Sequence, residues 1–420
     1  MQVYLLPANF AGDPEVCAML QAFYSRSKLS IVDRLENLGS DISCVRKALK
    51  KFYLGYGHSS IADCGSTTLF FENVSLHTAM WLVHHPLFSG QECSTRYIDF
   101  SNATYDLVTD DPEREAAFVK QALQTYKETV EKLTDKFKSA YENPTAAELR
   151  GCSAKAFDIA RCLLPVTLHT NVAVTMSLRN LRSHLTHLLS LGHLPRVQEA
   201  AKAGLQKLLY LYPSSFAETD LTPKAYTGIV VTPIDCGVSL AESLDRVFDD
   251  HVSADARIAD YIDRGYSPFD FTSIGWTYTI DVGCWREVHR HRKLVHFDPV
   301  DPIVSRVTEG MHSWYIRKLT EHLGTQSVIP IIKLLDMDYR ARPVLLGDTI
   351  KTAATGTVGA FLYFLNLRKS STVHPILRDT VREVIDKIKN PVLTEYLAYK
   401  EYTDAQTIAH RGTQTILNKE

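Results

Sequence analysis

Gln91-Glu92-Cys93-Ser94-Thr95-Arg96-Tyr97 is the stretch on which the fold prediction depends. It places an acid, two hydroxyl groups, an arginine and a tyrosine in one short segment after the histidine pair His84-His85. Arginine and hydroxyl donors, together with backbone N–H groups, can hold one anion, while the carboxylate fixes the arginine or accepts a further donor. The alternative is a surface turn closed by an arginine and a tyrosine.

The composition excludes several classes of function. The 420 residues are enough for two or three domains, and the 45% apolar and 22% charged fractions are typical of a globular protein. A net charge of −2 gives no general affinity for nucleic acid or membrane, and no apolar run approaches the roughly 18 residues of a membrane span. The eight cysteines form no C-x-x-C pair, which favours a reducing compartment and no metal site. Since Met1–Pro7 also lacks a signal-peptide pattern, we expect a soluble cytoplasmic protein.

Apolar spacing and turn-forming residues predict the first elements of the chain. Strands are predicted at Val3–Leu6 and Thr67–Phe71. Helices are predicted from Asp13-Pro14 onward, over Ile42–Tyr56, over Val74–Val83 and over Asp111–Tyr141. Residues 211–228 are rich in turn formers and are interpreted as a linker.

The order of motifs around the quoted stretch gives a family resemblance. The motifs are, in order, Gly57-His58-Ser59-Ser60, Asp63, the strand, the helix, His84-His85-Pro86 and Ser94-Thr95-Arg96-Tyr97. This order resembles the flavin-dependent thymidylate synthases, whose pattern runs Gly-His, an acid, a strand, a helix, Arg-His-Arg and Ser-x-Arg-Tyr. The last block matches residue for residue, whereas His84-His85-Pro86 stands where the family has Arg-His-Arg.

Two later blocks extend the resemblance. Arg161 lies in an Ala-Arg-x-x-Leu-Pro block, whose arginine binds the substrate phosphate in the family; a snorkelling helix arginine is the structural alternative. Ser177-Leu178-Arg179 keeps the arginine, but not the asparagine, of the family's flavin-side Asn-x-Arg. The family's next Leu-Arg, whose arginine contacts the pyrimidine, is replaced by Thr186–Leu189.

The pattern then begins again in the second half. Arg264–Asp270 mirrors Gly57–Asp63, with Asp270 lying 207 residues after Asp63, and Arg342 repeats Arg161 at a separation of 181 residues. Several spaced blocks repeated in one order indicate a duplicated domain. We predict two tandem copies, over residues 1–220 and 225–420.

The second copy contains what the first has lost. Arg290-His291-Arg292 is a complete Arg-His-Arg block, Arg368 supplies the missing pyrimidine arginine, and His374 resembles the family's flavin-side histidine. The Ser-x-Arg-Tyr block is in turn absent after Arg292. One chain would thus hold one working site and one degenerate site, with Arg342 in the degenerate one.

The resemblance implies an α+β fold in which each copy combines an antiparallel or mixed sheet with long helices. The two copies would form a pseudo-dimer, and a homodimer of chains would form a pseudo-tetramer. The implied reaction is methylation of dUMP at C5, with FAD, NADPH and methylene-tetrahydrofolate. The alternatives are methylation or hydroxymethylation of another pyrimidine nucleotide, or a non-catalytic homologue that binds flavin or nucleotide.

The resemblance also implies the site residues. The predicted substrate-binding residues are Glu92, Cys93, Ser94, Thr95, Arg96, Arg161, Glu287 and Arg368. The predicted cofactor-binding residues are His58, Ser60, Arg179, Ser267, Arg290, His291, Arg292 and His374. Arg368 would be catalytic, because a cation at the pyrimidine carbonyls stabilises the negative charge that develops while C5 attacks.

Overall fold

The computed structural model describes residues 12–38, 43–51, 59–217, 219–222, 238–251, 268–296, 307–335 and 342–414. The chain divides into two compact units, the first made of Met1–Glu92 and Thr170–Val230, the second of Cys93–His169 and Val231–Glu420. The predicted strand Val3–Leu6 and two predicted cofactor residues, His58 and Ser267, lie outside the described residues.

The described residues form an α+β fold with antiparallel strand pairings, which confirms the α+β part of the predicted fold class. The strands are β1 (Ser66–Ser75), β2 (Ser89–Glu92), β3 (His169–Ser177), β4 (Ser273–Asp281), β5 (Leu294–His296), β6 (Val307–Met311) and β7 (Asp348–Thr357). The helices from the N-terminal side to residue 251 are α1 (Pro14–Tyr24), α2 (Ile31–Leu38), α3 (Ser43–Leu49), α4 (Leu76–Leu82), α5 (Pro112–Lys138), α6 (Ala146–Ala160), α7 (Leu178–Leu189), α8 (Pro195–Leu211), α9 (Pro213–Phe216) and α10 (Leu240–His251). The later helices are α11 (Val282–Val288), α12 (Ser313–Leu323), α13 (Thr325–Leu335), α14 (Val358–Arg368), α15 (Pro375–Ile385), α16 (Pro391–Tyr396) and α17 (Asp404–Gln414).

Capping residues set the helix starts, as the sequence indicates. The Asp13 side chain accepts hydrogen bonds from the backbone N–H groups of Glu15 and Val16, at 2.9 and 3.2 Å. Asp111 caps α5 in the same way through the N–H of Arg114, at 3.1 Å. A side-chain acceptor at this position satisfies donors that the first helical turn leaves unpaired. Both helices begin where predicted, and α5 ends three residues before the predicted Tyr141.

The first unit packs helices around a three-stranded sheet of order β1-β3-β2. Its core contains Met19 of α1, Leu82 of α4 and Leu185 of α7, all buried. Phe216 in α9 is fully buried as well. The prediction of a linker from residue 211 is therefore wrong at Pro213–Phe216, where proline starts a helical turn and the phenylalanine joins the core.

The second unit has the sheet order β4-β7-β5, with β6 also paired to β7. All three of these pairings to β7 are antiparallel. The longest pairing is that of β4, in which every residue from Ser273 to Asp281 lies opposite a residue of β7. Residues 93–169, which precede the predicted domain boundary, pack in this unit.

Both sheets share one local pattern. In each, a short 3₁₀ helix precedes a long strand and a short helix, namely Ser59–Cys64 before β1 and α4, and Pro268–Phe271 before β4 and α11. Ser89 of β2 lies opposite Thr175, and Val295 of β5 lies opposite Thr355. The residues that cap the helices after β1, β4, β3 and β7 give the separation of the two copies: Asp281 follows Ser75 by 206 residues, and Thr357 follows Ser177 by 180. Val295 follows Ser89 by the same 206 residues and Thr355 follows Thr175 by the same 180, so the two pairings have equivalent registers.

Helices α6 and α17 approach closely through glycine. A Cβ at Gly151 would lie 2.1 Å from the carbonyl oxygen of Ile408, and one at Gly412 would lie 1.8 Å from that of Ala147. Only a residue without Cβ allows the backbones this approach. Within the described ranges, no helix combines the length and apolar character that a membrane crossing needs.

Candidate functional site

Arg96 of the quoted stretch is bound to Asp158 at the end of α6. Its Nε donates to Asp158 Oδ1 at 2.8 Å, and its Nη2 donates to Oδ2 at 3.0 Å. The same Nη2 reaches the carbonyl oxygen of Thr372 at 3.0 Å. Arg96 is 8% exposed, so the bidentate pair is buried. Such a pair fixes the plane of the guanidinium as well as its position.

Arg411 of α17 binds the same carboxylate. Its Nη1 donates to Asp158 Oδ2, its Nη2 donates to the backbone oxygen of Arg96 at 3.3 Å, and its guanidinium lies 5.1 Å from the centre of the Tyr97 ring. Burial by itself raises the pKa of Asp158, but the charges of Arg411 and Arg96 outweigh it and hold that pKa well below its usual range. Asp158 is therefore an ionised anchor for two arginines.

Arg161 and Arg96 meet at one carboxylate, that of Glu287 on α11. Arg161 Nη1 donates to Oε1 at 2.9 Å, and Arg96 Nη1 donates to Oε2 at 3.4 Å. Burial opposes ionisation of Glu287, yet the charges of Arg96 and Arg161 lower its pKa to about 2. At neutral pH the Glu287 carboxylate is therefore fully ionised, and it lies between the guanidiniums of Arg96 and Arg161.

The opposite edge of Arg161 faces a buried polar network. Its Nη2 contacts Cys284 Sγ at 3.0 Å and lies 3.8 Å from Asp281 Oδ1, while its Nε reaches the Tyr315 hydroxyl at 3.5 Å. Tyr315 in turn donates to Asp281 Oδ1 at 3.1 Å. With its side chain 1% exposed, Arg161 has no direct route to solvent past these groups.

Cys284 and His374 form a neutral pair behind Arg161. His374 Nε2 lies 3.0 Å from the carbonyl oxygen of Asp158, which can only accept, so Nε2 carries the proton. His374 Nδ1 is then the acceptor for the Cys284 thiol, 3.1 Å away. Burial, reinforced by the charge of Arg161, lowers the pKa of His374 far below its usual value, and burial raises the pKa of Cys284. Cys284 thus remains a thiol rather than an activated nucleophile.

Arg368 lies at the end of α14 and contacts His291. Its Nε donates to His291 Nε2 at 2.7 Å, and its Nη2 donates to the backbone oxygen of Glu287 at 3.2 Å. Burial, together with the charge of Arg368, lowers the pKa of His291 well below its usual value. Arg368 is therefore positioned by a neutral imidazole and by the helix that carries Glu287.

The remaining predicted residues differ in their surroundings. Ser94 Oγ accepts the N–H of Arg96 at 3.3 Å and Thr95 is buried, whereas Cys93 is half-buried. The turn after α11 carries Arg290, which is half-buried, and Arg292, which is exposed. Two guanidiniums on one accessible turn fit the anionic part of a flavin nucleotide.

Three of the predicted residues that the structure describes, Ser60, Glu92 and Arg179, belong to the first unit. Arg179 Nη1 contacts Asp63 Oδ2 at 2.6 Å, and Ser177 Oγ donates to Asp63 Oδ1 at 3.1 Å. Ser60 is exposed on the 3₁₀ helix that contains Asp63, and Glu92 is half-buried on β2. The Arg179 side chain is 47% exposed, so this cation keeps access to solvent.

Within the second unit, the structure brings together six predicted residues in one contact network: Arg96, Arg161, Glu287, His291, Arg368 and His374. It also adds residues that the sequence analysis did not select. Asp158 could have been found, because it stands three residues before Arg161 in the same block. Arg411, Cys284 and Tyr315 have no motif around them, and only the fold places them here.

Comparison with known proteins agrees with this interpretation. Residues 9–214 match the family described as thymidylate synthase complementing protein, Thy1. The flavin-dependent thymidylate synthase of Mycobacteroides abscessus is 28% identical over 197 residues, which cover 45% of this chain and 78% of that protein. The enzymes of the same name from Mycobacterium avium and Mycobacterium sp. strain KMS are 25% and 26% identical, over 44% and 42% of this chain and 74% and 72% of their own.

The segment that matches contains Arg96, Arg161 and Arg179, the three first-half arginines that carry the resemblance. The predicted family is thereby confirmed. Residues 9–214 of the chain are thus a match to the Thy1 family, and the relatives from Mycobacteroides abscessus and Mycobacterium avium are named flavin-dependent thymidylate synthases.

Proposed function

We propose that the chain is an FAD-dependent methyltransferase that methylates dUMP at C5, with methylene-tetrahydrofolate and NADPH as co-substrates. The observation that carries this proposal is the convergence of Arg96 and Arg161 on the two oxygens of Glu287, at 3.4 and 2.9 Å. Two guanidiniums aimed at one oxyanion form the donor arrangement that a phosphate monoester needs. Family membership supplies the reaction class.

In this proposal Arg96 and Arg161 hold the nucleotide phosphate. Asp158 and Arg411 orient Arg96, because Asp158 occupies its Nε and Nη2 and leaves Nη1 directed at the anion position. Ser94 supports the same residue through its backbone N–H. Buried donors are screened little by solvent and salt, and donors that are already oriented need not rearrange when the ligand binds. Both effects favour tight binding of the phosphate.

Arg368 is the proposed catalytic residue. It would face the pyrimidine carbonyls and stabilise the negative charge that develops while C5 attacks the one-carbon unit. His291 and the Glu287 backbone oxygen hold its guanidinium from the other side, which limits its freedom before the reaction. When bound, the reduced flavin supplies the hydride that completes the methyl group. Within the second unit, Arg290, His291 and Arg292 are the proposed flavin contacts. The flavin roles of Ser60 and Arg179 stay predictions for the first unit taken by itself, and those of His58, Ser267 and His374 also stay predictions.

We further infer that the second half is a second, diverged copy of the family domain. The equivalent strand registers of the two sheets support this, and so does one repeated hydrogen bond. Ser177 donates to Asp63 at 3.1 Å, and Thr357 donates to Asp270 at 2.6 Å. Each chain would then hold one working site, and two chains would associate as a pseudo-tetramer.

The test is mass spectrometry of nucleotides incubated with the protein, FAD, NADPH and methylene-tetrahydrofolate. We expect dUMP to gain the mass of one CH₂ group. UMP and dCMP are run in parallel, and a gain of CH₂O in any of them would identify a hydroxymethylase. A protein that takes up FAD but leaves all three nucleotides unchanged would contradict the catalytic proposal and indicate a binding homologue.

A further inference from the structure

Glu287 lies on the solvent side of the two arginines that it joins. Its side chain is 18% exposed, compared with 10% for Arg96 and 1% for Arg161. The other donors of Arg161 face Cys284 and Tyr315, which are both fully buried. An anion from solvent can therefore contact Arg161 only where the Glu287 carboxylate now lies.

Carboxylates already compensate most of the positive charge of this cluster without a ligand. Asp158, Asp281 and Glu287 lie within 3.8 Å of the guanidiniums of Arg96, Arg161 and Arg411. Arg368, whose Nη2 donates to the Glu287 backbone oxygen at 3.2 Å, adds a further cation. A phosphate added beside an ionised Glu287 would experience repulsion between like charges at short range. Removing the Glu287 charge would leave two guanidiniums in need of a counterion.

A glutamate is not required at this position of the helix. Helix α4 corresponds to α11, since Ser75 caps the first and Asp281 caps the second. Six residues after these caps stand Trp81 and Glu287, respectively. The same short helix forms with an indole there, so the carboxylate serves the cluster rather than the helix.

We propose that Glu287 is a specificity-determining residue that occupies the anion position between Arg96 and Arg161, and that a nucleotide phosphate binds there only by displacing it. The identity of the ligand rests on the proposed function, whereas the competition rests on the contacts of Glu287 alone. Because the carboxylate must first be displaced, every phosphate ligand binds more weakly than it would to the two arginines alone. Ligands that carry a full dianion and make further contacts with the protein are favoured, since they can compensate for this loss.

Glu287→Gln tests the competition, because it removes the charge and keeps the size. We expect the variant to bind dUMP at least tenfold more tightly than the wild type in calorimetry, a difference of about 1.4 kcal/mol. Deoxyuridine, which has no phosphate, should bind both proteins equally. An unchanged or weaker affinity for dUMP in the variant would overturn the proposal.

Inorganic phosphate gives a test that needs no nucleotide chemistry. Thermal unfolding is followed with increasing phosphate, against sodium chloride at equal ionic strength, for the wild type, Glu287→Gln and the control Glu321→Gln. Glu321 lies on α12 and pairs with Lys318 of the same helix, at 2.7 Å. Phosphate should raise the Tm of Glu287→Gln by clearly more than that of the other two proteins, because ligand that binds the folded state stabilises it. Equal shifts in all three would contradict the competition.

Glu287→Asp provides a second variant should Glu287→Gln not fold. Aspartate keeps the counter-charge but is shorter by one CH₂, so it cannot reach both guanidiniums, and phosphate affinity should rise by a smaller factor. An unchanged affinity would again overturn the proposal. If phosphate stabilises Glu287→Gln but no nucleotide is methylated, the proposed function fails and this inference stands. If the wild type methylates dUMP but the variant gains no affinity, the proposed function stands and this inference fails.

Discussion

Arg96 and Asp158 are joined by two parallel hydrogen bonds, of 2.8 Å from Nε and 3.0 Å from Nη2. Because Arg411 binds the same carboxylate, one negative charge compensates two guanidiniums. All three residues are at most 8% exposed. Asp158 is therefore the group on which both the stability of the cluster and the orientation of Arg96 depend.

Asp158→Asn should lower the free energy of unfolding by about 3–5 kcal/mol, because it leaves buried guanidiniums without their counter-charge. The matched control is Asp404→Asn, which breaks an ion pair with Lys155 on the same helix as Asp158. That aspartate side chain is 80% exposed, so its loss should cost no more than about 1 kcal/mol. Urea denaturation measures both, and equal losses would contradict the anchoring role of Asp158.

Arg342→Ala should also destabilise the fold, although this arginine is predicted to lie in the degenerate site. Its Nη1 and Nη2 bind the two oxygens of Asp348 at 2.8 Å each, and both side chains are almost fully buried. We expect a loss of about 3–5 kcal/mol. The control Arg196→Ala removes an exposed pair with Glu199 and should change stability by no more than about 1 kcal/mol. Nucleotide affinity of folded Arg342→Ala should stay unchanged, and a loss of affinity would place Arg342 in a binding site.

Arg368→Ala and Arg96→Ala should separate turnover from binding. The charge of Arg368 matters most as the transition state forms, so its loss should lower kcat more than it raises the dissociation constant of dUMP. Arg96→Ala should instead weaken dUMP binding by about 1.5–3 kcal/mol, the worth of one charge-assisted contact, and leave FAD bound. Calorimetry, steady-state kinetics and flavin absorbance distinguish the two. Equal effects on kcat in both variants would contradict this division.

Gly412→Ala should loosen the packing of α17 on α6. Its new Cβ would lie 1.8 Å from the Ala147 carbonyl oxygen, so the helix must move, and overpacking of this kind costs about 1–3 kcal/mol. Gly275→Ala is the control, because the nearest atom to a Cβ there is 4.0 Å away. Its stability should change by no more than about 0.5 kcal/mol. If both variants unfold at the same urea concentration, the contact between the two helices is not close in solution.

The free energy of unfolding should decrease as the pH is lowered below about 6.5, and His184 is one cause. Burial, with a contribution from His85, lowers the pKa of His184 to about 3, and its Nε2 donates to the Leu82 carbonyl oxygen at 3.1 Å. Below the ordinary histidine pKa of about 6.5, the unfolded chain binds a proton that the folded chain does not. His184 thus lowers the free energy of unfolding by up to about 1.4 kcal/mol for each pH unit below that value.

His184→Gln keeps a donor for Leu82 and removes the titration. Its urea midpoint, measured between pH 7 and pH 5, should decline less steeply than that of the wild type. His291 and His374 also have lowered pKa values and remain in both proteins, so some decline persists. Parallel curves for the variant and the wild type would show that His184 is accessible to protons in the folded state.

Local sequence signals were sufficient for part of the fold and the site. Helix α5 could be predicted almost to its ends, because helical spacing and the Asp111 cap act within a few residues of one another. Arg161 and Arg368 could be selected because each stands in a short recognisable block.

Other features depend on contacts between distant residues and could not be predicted. Arg411 has no motif, and it reaches Asp158 only because two glycines bring α17 and α6 together. Glu287 was expected to bind substrate, but its position between Arg96 and Arg161 required the packing of α11. The burial of Phe216 was missed because proline and serine mark helix starts as well as turns.

The order of synthesis gives the Arg411 contact a further consequence. Arg411 follows Asp158 by 253 residues, so a ribosome adding about 5–20 residues per second needs roughly 13–50 seconds to make the second after the first. During that time α6 has emerged with Asp158 and Arg96 but without α17. Until then Asp158 lacks one of its two cationic partners, and the arginine cluster is complete only when α17 has left the ribosome.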